Sequence, residues 1–387
     1  MAFNGYFVSY DEHNHIANSE ATFALVGILM ILSLVIIFTT KWGKTTANSE
    51  SIVYFRHETS EALRGIAILC LLLGHFALKC VEGVYSFELA GRWSVIIFLF
   101  TSGFGLTKKY AVENLPSNFF VQRISKLLPS TSVTMAMFIV LDFILLDRTY
   151  SWKTVILNLL GIITTRSADG SAWYITYILV LYLLYFLTSI ISCNKFVKII
   201  ILYCMCSMCS ILIWKYKQLS YYLSNWPQYT IVFPSAVAIG LYFKLIYDQL
   251  TSRIRIIQMV FLFLLVILLL YNYTVKIEGH IYTGLVNSFQ LHIIVSIISD
   301  FLLILLLLFL TILFDYFQIC SSFLAYLGRY SLEIFLLHLP FMEKYDFFLF
   351  RKPLLLMLIL YISFILIISI AFKKIIIKLS QIFKLVL

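Results

Sequence analysis

Charge is what this 387-residue sequence has least of. Only 12% of its residues are Asp, Glu, Lys or Arg, against about 25% in an ordinary soluble domain. With 61% hydrophobic residues beside that shortage, a soluble enzyme and a disordered chain are both excluded. Proline is scarce too, at six residues, and no internal repeat is visible. A transporter built from repeated halves would show Gly- or Pro-broken helices at corresponding positions. Polar stretches reach only about 20 residues, so a second, water-soluble domain is not expected. Lys and Arg are missing from residues 1–21, which instead carry Asp11, Glu12 and Glu20. A signal peptide starts with the opposite charge, so the first apolar block, Thr22 to Thr40, is expected to be retained as a span. Seven cysteines, an odd number, mostly fall inside apolar blocks and imply no disulfide framework. Cys204, Cys206 and Cys209 lie close together, but with no His or carboxylate near them they read as small hydrophobes. No metal site is expected.

What the chain does have is apolar blocks. Ten follow the first, at 62–80, 93–107, 130–147, 172–191, 199–214, 229–247, 256–273, 293–314, 323–341 and 354–372. A bilayer core of ~30 Å takes about 20 residues of helix, and lipid leaves unpaired backbone groups no other solution at this length. The expected fold is therefore all-α: a polytopic membrane helix bundle of about eleven transmembrane helices. Residues 154–164 are apolar but too short to span, so 148–171 is expected to lie at one face.

The formal charge is +10, from 29 Lys+Arg and 19 Asp+Glu. Most of the cations flank apolar blocks, where they orient spans and meet anionic headgroups; nucleic acid is not an expected partner. With residues 1–21 outside, inner segments hold 15 cations and outer ones 10. The bias expects a multi-pass protein of the plasma membrane, N-terminus outside and C-terminus cytoplasmic. Three regions follow: a polar segment, extra span and inner linker over 1–60, a membrane core over 61–372, and a basic tail over 373–387 carrying Lys373, Lys374, Lys378 and Lys384.

Two blocks hold ionisable groups that lipid tolerates poorly, and such groups mark function by default. In the first, Arg64 and His75 are eleven residues apart. At 100° per residue this falls about 20° from three full turns, and the rise is ~16 Å, so both side chains lie on one stripe. In the second, Ser331 and His338 are seven apart and share a face, while Arg329 and Glu333, four apart, are expected to pair along one helix. Pro340 is expected to break that span. The plainer alternative is a snorkelling Arg and interhelical hydrogen bonds from the histidines.

The combined pattern resembles the acyltransferase 3 family of membrane acyltransferases, which O-acylate carbohydrates and related envelope molecules. Its first core helix carries Leu-Arg-Gly-[Ile/Leu]-Ala with a His eleven residues after the Arg, as in Leu63-Arg64-Gly65-Ile66-Ala67 and His75. A Phe-rich run ending in Ser-Gly-aromatic is matched by Phe98 through Phe104, with Ser102. A basic inner loop ending in Pro is similar to Phe120 through Pro129, with Arg123 and Lys126. An aromatic pair opening a later span looks like Trp173-Tyr174, and a Gly-x-x-Ser-Leu…His-x-Pro pattern looks like Gly328 through Pro340. The resemblance covers about 60–372 and implies a ten-helix core, to which this chain adds one N-terminal span. One departure is Lys126, where the family often has a second Arg; Lys keeps the charge but not the bidentate fork.

The resemblance implies a donor, acetyl-CoA or another acyl-CoA, whose phosphates would meet Arg64, Arg123 and Lys126. It implies a carbohydrate acceptor, a polysaccharide or lipid-linked sugar. His75, whose imidazole accepts protons at neutral pH, is then the expected base, with Arg64 beside it in the catalytic set. Ser102, Ser331, Glu333 and His338 are expected on the acceptor side, where Trp173 and Tyr174 either stack on a sugar or anchor the interface. Direct transfer and passage through an acyl-His75 both stay open, and oligomeric state is not specified. The alternative is a polysaccharide or small-molecule flippase.

Overall fold

The computed structural model describes residues 18–43, 54–80, 85–110, 115–163, 167–191, 194–215, 226–251, 253–273, 289–349 and 351–386. The acidic flank at Asp11 and Glu12 lies outside them. Among the described residues thirteen helices carry the fold: α1 Asn18–Thr39, α2 His57–Cys80, α3 Tyr85–Lys109, α4 Phe119–Leu146, α5 Trp152–Leu159, α6 Trp173–Ile191 and α7 Lys195–Lys215. They continue as α8 Val232–Leu250, α9 Arg253–Tyr273, α10 Phe289–Tyr316, α11 Ser322–Arg329, α12 Ser331–Glu343 and α13 Leu354–Val386. One two-residue ladder joins β1, Thr40–Lys41, antiparallel to β2, Cys320–Ser321.

Among the described residues, nine helices are long and apolar enough to cross a membrane: α1 to α4, α6 to α8, α10 and α13. They account for nine of the eleven expected blocks. The 256–273 block forms α9, whose described apolar part is Gln258–Leu269. The 323–341 block departs from expectation, because it is two helices, α11 and α12, joined at Tyr330 with φ −104° and ψ 12°. The cause is packing. A Cβ on Gly328 would lie 2.0 Å from the Glu61 carbonyl oxygen, and one on Gly65 would lie 2.1 Å from that of Leu324. Backbone thus rests on backbone where α11 meets α2, the close approach that small residues permit, and the chain must turn before α12 can continue. Pro340 does not end the second piece, since α12 runs on to Glu343. Arg329 and Glu333 therefore belong to different helices and do not pair. Arg329 Nε lies 3.9 Å from Glu61, while Glu333 meets Lys373 at 3.6 Å.

The segment expected not to span forms only the short α5. Its eight residues rise only ~12 Å, and it packs on α4, with Ser132 Oγ donating to the Leu159 carbonyl at 2.5 Å. Residues 373–386, read as a basic tail, continue α13 as helix.

Polar clasps close the two ends of the bundle. At one, Asp315 accepts from Thr59 Oγ1 at 2.6 Å and from the backbone N–H groups of Phe55 and Arg56, and Tyr54 donates to Asp248 at 2.9 Å. At the other, Asp142 accepts from Lys344 at 2.8 Å, Tyr345 at 2.5 Å and Tyr150. Between them α2 and α3 form the centre: 67% and 72% of their apolar windows are buried, against 11% for α7. A Cβ on Gly74 would lie 2.1 Å from the Gly91 nitrogen, so these two central helices also touch backbone to backbone.

Candidate active site

The stripe on α2 leads from a basic pocket to a histidine pair. The pocket encloses about 460 Å³, and its walls include Arg64, Arg123, Lys126, Arg329 and Lys373 with a single carboxylate, Glu333. Five cations against one anion leave the pocket lining with an excess of positive charge, which suits an anionic ligand. Arg123 is held face-on to three rings, 5.3 Å from Phe119 and 5.6 Å from both Tyr110 and Tyr182, and its Nε has no hydrogen-bond partner. Glu333 is tied down by Ser130 at 3.5 Å and by Lys373. Lys373 also donates to the Arg329 carbonyl, which the break at Tyr330 leaves available.

Three rings lie at the pocket's apolar wall. Phe98, Tyr174 and Phe335 line it and touch one another, with centroids 6.0 Å (Phe98–Tyr174), 5.4 Å (Tyr174–Phe335) and 6.2 Å (Phe98–Phe335) apart. Beyond Phe335, whose ring centroid is 5.9 Å from that of His338, the two histidines meet. His75 Nδ1 and His338 Nε2 are 2.8 Å apart, across 263 residues of sequence. The ring centroids lie 4.9 Å apart with planes 28° from each other.

The partners fix the protonation pattern. His338 Nδ1 lies 2.7 Å from the Phe335 carbonyl oxygen, which can only accept, so Nδ1 carries the hydrogen. In the neutral ring Nε2 of His338 then accepts, and the donor is Nδ1–H of His75. His75 is thereby held in the tautomer whose Nε2 bears the lone pair. His338 is fully buried, and its own carbonyl takes a 2.7 Å hydrogen bond from Tyr361.

A family model described as an acyltransferase domain matches residues 58–374. The chain belongs to the acyltransferase 3 family. Both the pocket and the histidine pair fall within the matched segment, and membership makes the protein a membrane acyltransferase with an acyl donor and an acceptor. Neither a curated protein nor a solved structure matches it.

Within this acyltransferase the expected residues divide. Arg64, Arg123, Lys126, Ser102, Tyr174, Ser331 and Glu333 share the basic pocket. His75 and His338 form the pair. Ser331, Phe335 and His338 thus run along α12 at i, i+4 and i+7, from pocket to ring wall to pair, beside the Arg64–His75 stripe of α2. Trp173 does not line the pocket; it stacks on Tyr229 at 5.9 Å, with planes 18° apart. Sequence reasoning missed Arg329 and Lys373 as pocket cations, Tyr361, and above all the contact between the histidines. Among the described residues no group of three or more His, Cys, Asp or Glu side chains is arranged to hold a metal ion.

Proposed function

We propose that this protein moves an acyl group, acetyl by preference, from acyl-CoA to a hydroxyl of a cell-envelope or exported carbohydrate. The 2.8 Å contact of His75 with His338, next to a pocket rich in cations, carries the reading. Acyl-CoA is a polyanion, and Arg64, Arg123, Lys126, Arg329 and Lys373 suit its phosphates. The basic end is then cytoplasmic, with the protein in the plasma membrane, its N-terminus outside and its C-terminus inside. The carbohydrate approaches from the other face.

His75 Nε2 takes the proton of the acceptor hydroxyl as its oxygen forms a bond to the thioester carbon. The carbon–sulfur bond breaks, and the imidazolium returns the proton to the departing thiolate. The products are an ester and CoA thiol, so atoms and charge balance. His338, accepting from Nδ1–H, stabilises the imidazolium and keeps the ring oriented. Cells carrying wild type or His75→Ala are compared by proton NMR of surface glycan before and after mild alkali. Loss of the alkali-labile acetyl signal at constant glycan amount is expected. Less glycan at the surface, with its acetyl intact, would replace this reading by a flippase.

A further inference from the structure

We propose that Glu333 is a specificity-determining residue for the donor: its carboxylate accepts a hydrogen bond from an amide N–H of the pantetheine arm, so the pocket recognises the arm as well as the phosphates. The inference rests on the acyl-CoA reading of the pocket, and it moves Glu333 from the acceptor side to the donor side.

Among Arg64, Arg123, Lys126, Arg329 and Lys373, a carboxylate works against a polyanion. Glu333 is nonetheless there and only 4% exposed, and burying a carboxylate is costly unless its oxygens are paired. The protein pairs them incompletely. Two ionised oxygens offer about four acceptor positions, and Ser130 Oγ reaches Oε1 only at 3.5 Å, a stretched contact. Oε2 takes no hydrogen bond. The Lys373 ammonium stands 3.6 Å from it and donates instead to the Arg329 carbonyl. The Lys373 side chain is 34% exposed, so it can lean toward a phosphate and uncover the carboxylate. A ligand that carries both phosphates and N–H donors satisfies the two groups at once.

Distance points to the pantetheine amides. Glu333 precedes His338 by five residues, a rise of ~7.5 Å along α12, and His338 touches His75. An extended chain advances ~3.8 Å per three bonds, which puts the two amide nitrogens of the arm about 5 and 10 Å from the thioester carbon. The adenine amino group, beyond the pyrophosphate, is several times further. Ser102, Ser331 and Tyr174 also line the pocket with hydroxyls, but a hydrogen bond to an ionised acceptor is roughly twice as strong.

The test uses full-length protein in lipid nanodiscs, with acetyl-CoA as donor, water as acceptor and thiol release as readout. Hydrolysis is slow, so KM measures donor binding. Adenosine 3′,5′-bisphosphate, which has phosphates but no arm, serves as competitive inhibitor. The ratio of KM for acetyl-CoA to the inhibition constant of the bisphosphate isolates the arm. For Glu333→Gln the ratio should rise about tenfold, and for Glu333→Ala further, since Gln keeps a neutral acceptor. The bisphosphate itself should bind more tightly to both, because a negative charge leaves the pocket. An acetyl-CoA analogue with oxygen in place of both amide N–H groups should lose about as much on wild type and nothing further on Glu333→Gln. A ratio that does not rise, or an analogue that binds wild type as acetyl-CoA does, overturns the contact. A wild-type protein that releases no thiol from acetyl-CoA, or that the bisphosphate does not inhibit, would instead remove the acyl-CoA reading beneath it.

Discussion

Replacing His338 by Phe tests the histidine pair most directly. The ring keeps its shape against Phe335, but Nδ1–H of His75 loses its acceptor. Leaving a half-buried neutral donor unsatisfied costs up to about 1–3 kcal/mol. Charged to the competent tautomer and orientation of His75, that is a loss of about 5- to 150-fold in kcat. KM for acyl-CoA should hold, since His338 does not line the pocket. His75→Ala removes the base itself, worth about 10²–10⁴. If His338 acts through His75, the double variant should be no slower than His75→Ala alone, because residues that act as a unit are not additive. His338→Gln, which retains a carbonyl acceptor, should recover part of the loss. Thiol release from acetyl-CoA in nanodiscs measures all four proteins. Losses that multiply in the double variant, or a His338→Phe effect confined to KM, would refute the reasoning.

Other outcomes follow from the same structure. Arg123→Gln together with Lys126→Gln should raise KM for acyl-CoA by one to two orders of magnitude, about 1.5–3 kcal/mol for a charged hydrogen bond, with little change in kcat; an unmoved KM at low salt would remove the phosphate role. Gly328→Ala should destabilise the bundle by about 1–3 kcal/mol or more, since its Cβ would sit 2.0 Å from the Glu61 carbonyl oxygen. Thermal melting of the purified variant measures this, and a wild-type midpoint would contradict the backbone contact. Burial pushes the Asp169 carboxyl, in the loop before α6, up to about 6; Ser171 and Lys344 oppose the rise and Glu343 adds to it. A raised carboxyl favours folding most below its ordinary value near 3.8, and the contribution, on the order of 3 kcal/mol, is lost as pH rises through about 6. Asp169→Asn should therefore flatten the melting midpoint between pH 4.5 and 7 (on the order of the titration window); an undiminished slope would place its origin elsewhere.

Much of the architecture was legible because lipid enforces it. Nine long spans, the short α5 and the α2 stripe all follow from hydropathy and helical period. The break at Tyr330 did not: Gly328, Arg329 and Ser331 dilute the block there but were read as polar positions along one helix, and the backbone contact of Gly328 with Glu61 comes from another helix. The site was legible in its parts. Arg64, Arg123 and Lys126 were expected together and share one pocket. Lys373 was assigned to a tail, since a cation at a membrane edge looks the same whether it orients a span or turns toward a cavity. His338 was placed with the acceptor because nothing local to α12 encodes a partner 263 residues away. Trp173, expected either to stack on a sugar or to anchor the interface, lies outside the basic pocket and stacks on Tyr229.

The contact among Phe98, Tyr174 and Phe335 bears on how such an enzyme coexists with an energised membrane. An elementary charge crossing 100 mV is worth about 2.3 kcal/mol, so a wet line of cations and imidazoles would drain the gradient by relaying protons. Aromatic rings supply neither a hopping site nor, Tyr174's hydroxyl aside, a hydrogen-bonding atom. On the proposed reading these three touching rings insulate the site, and the arm of acyl-CoA would have to pass them.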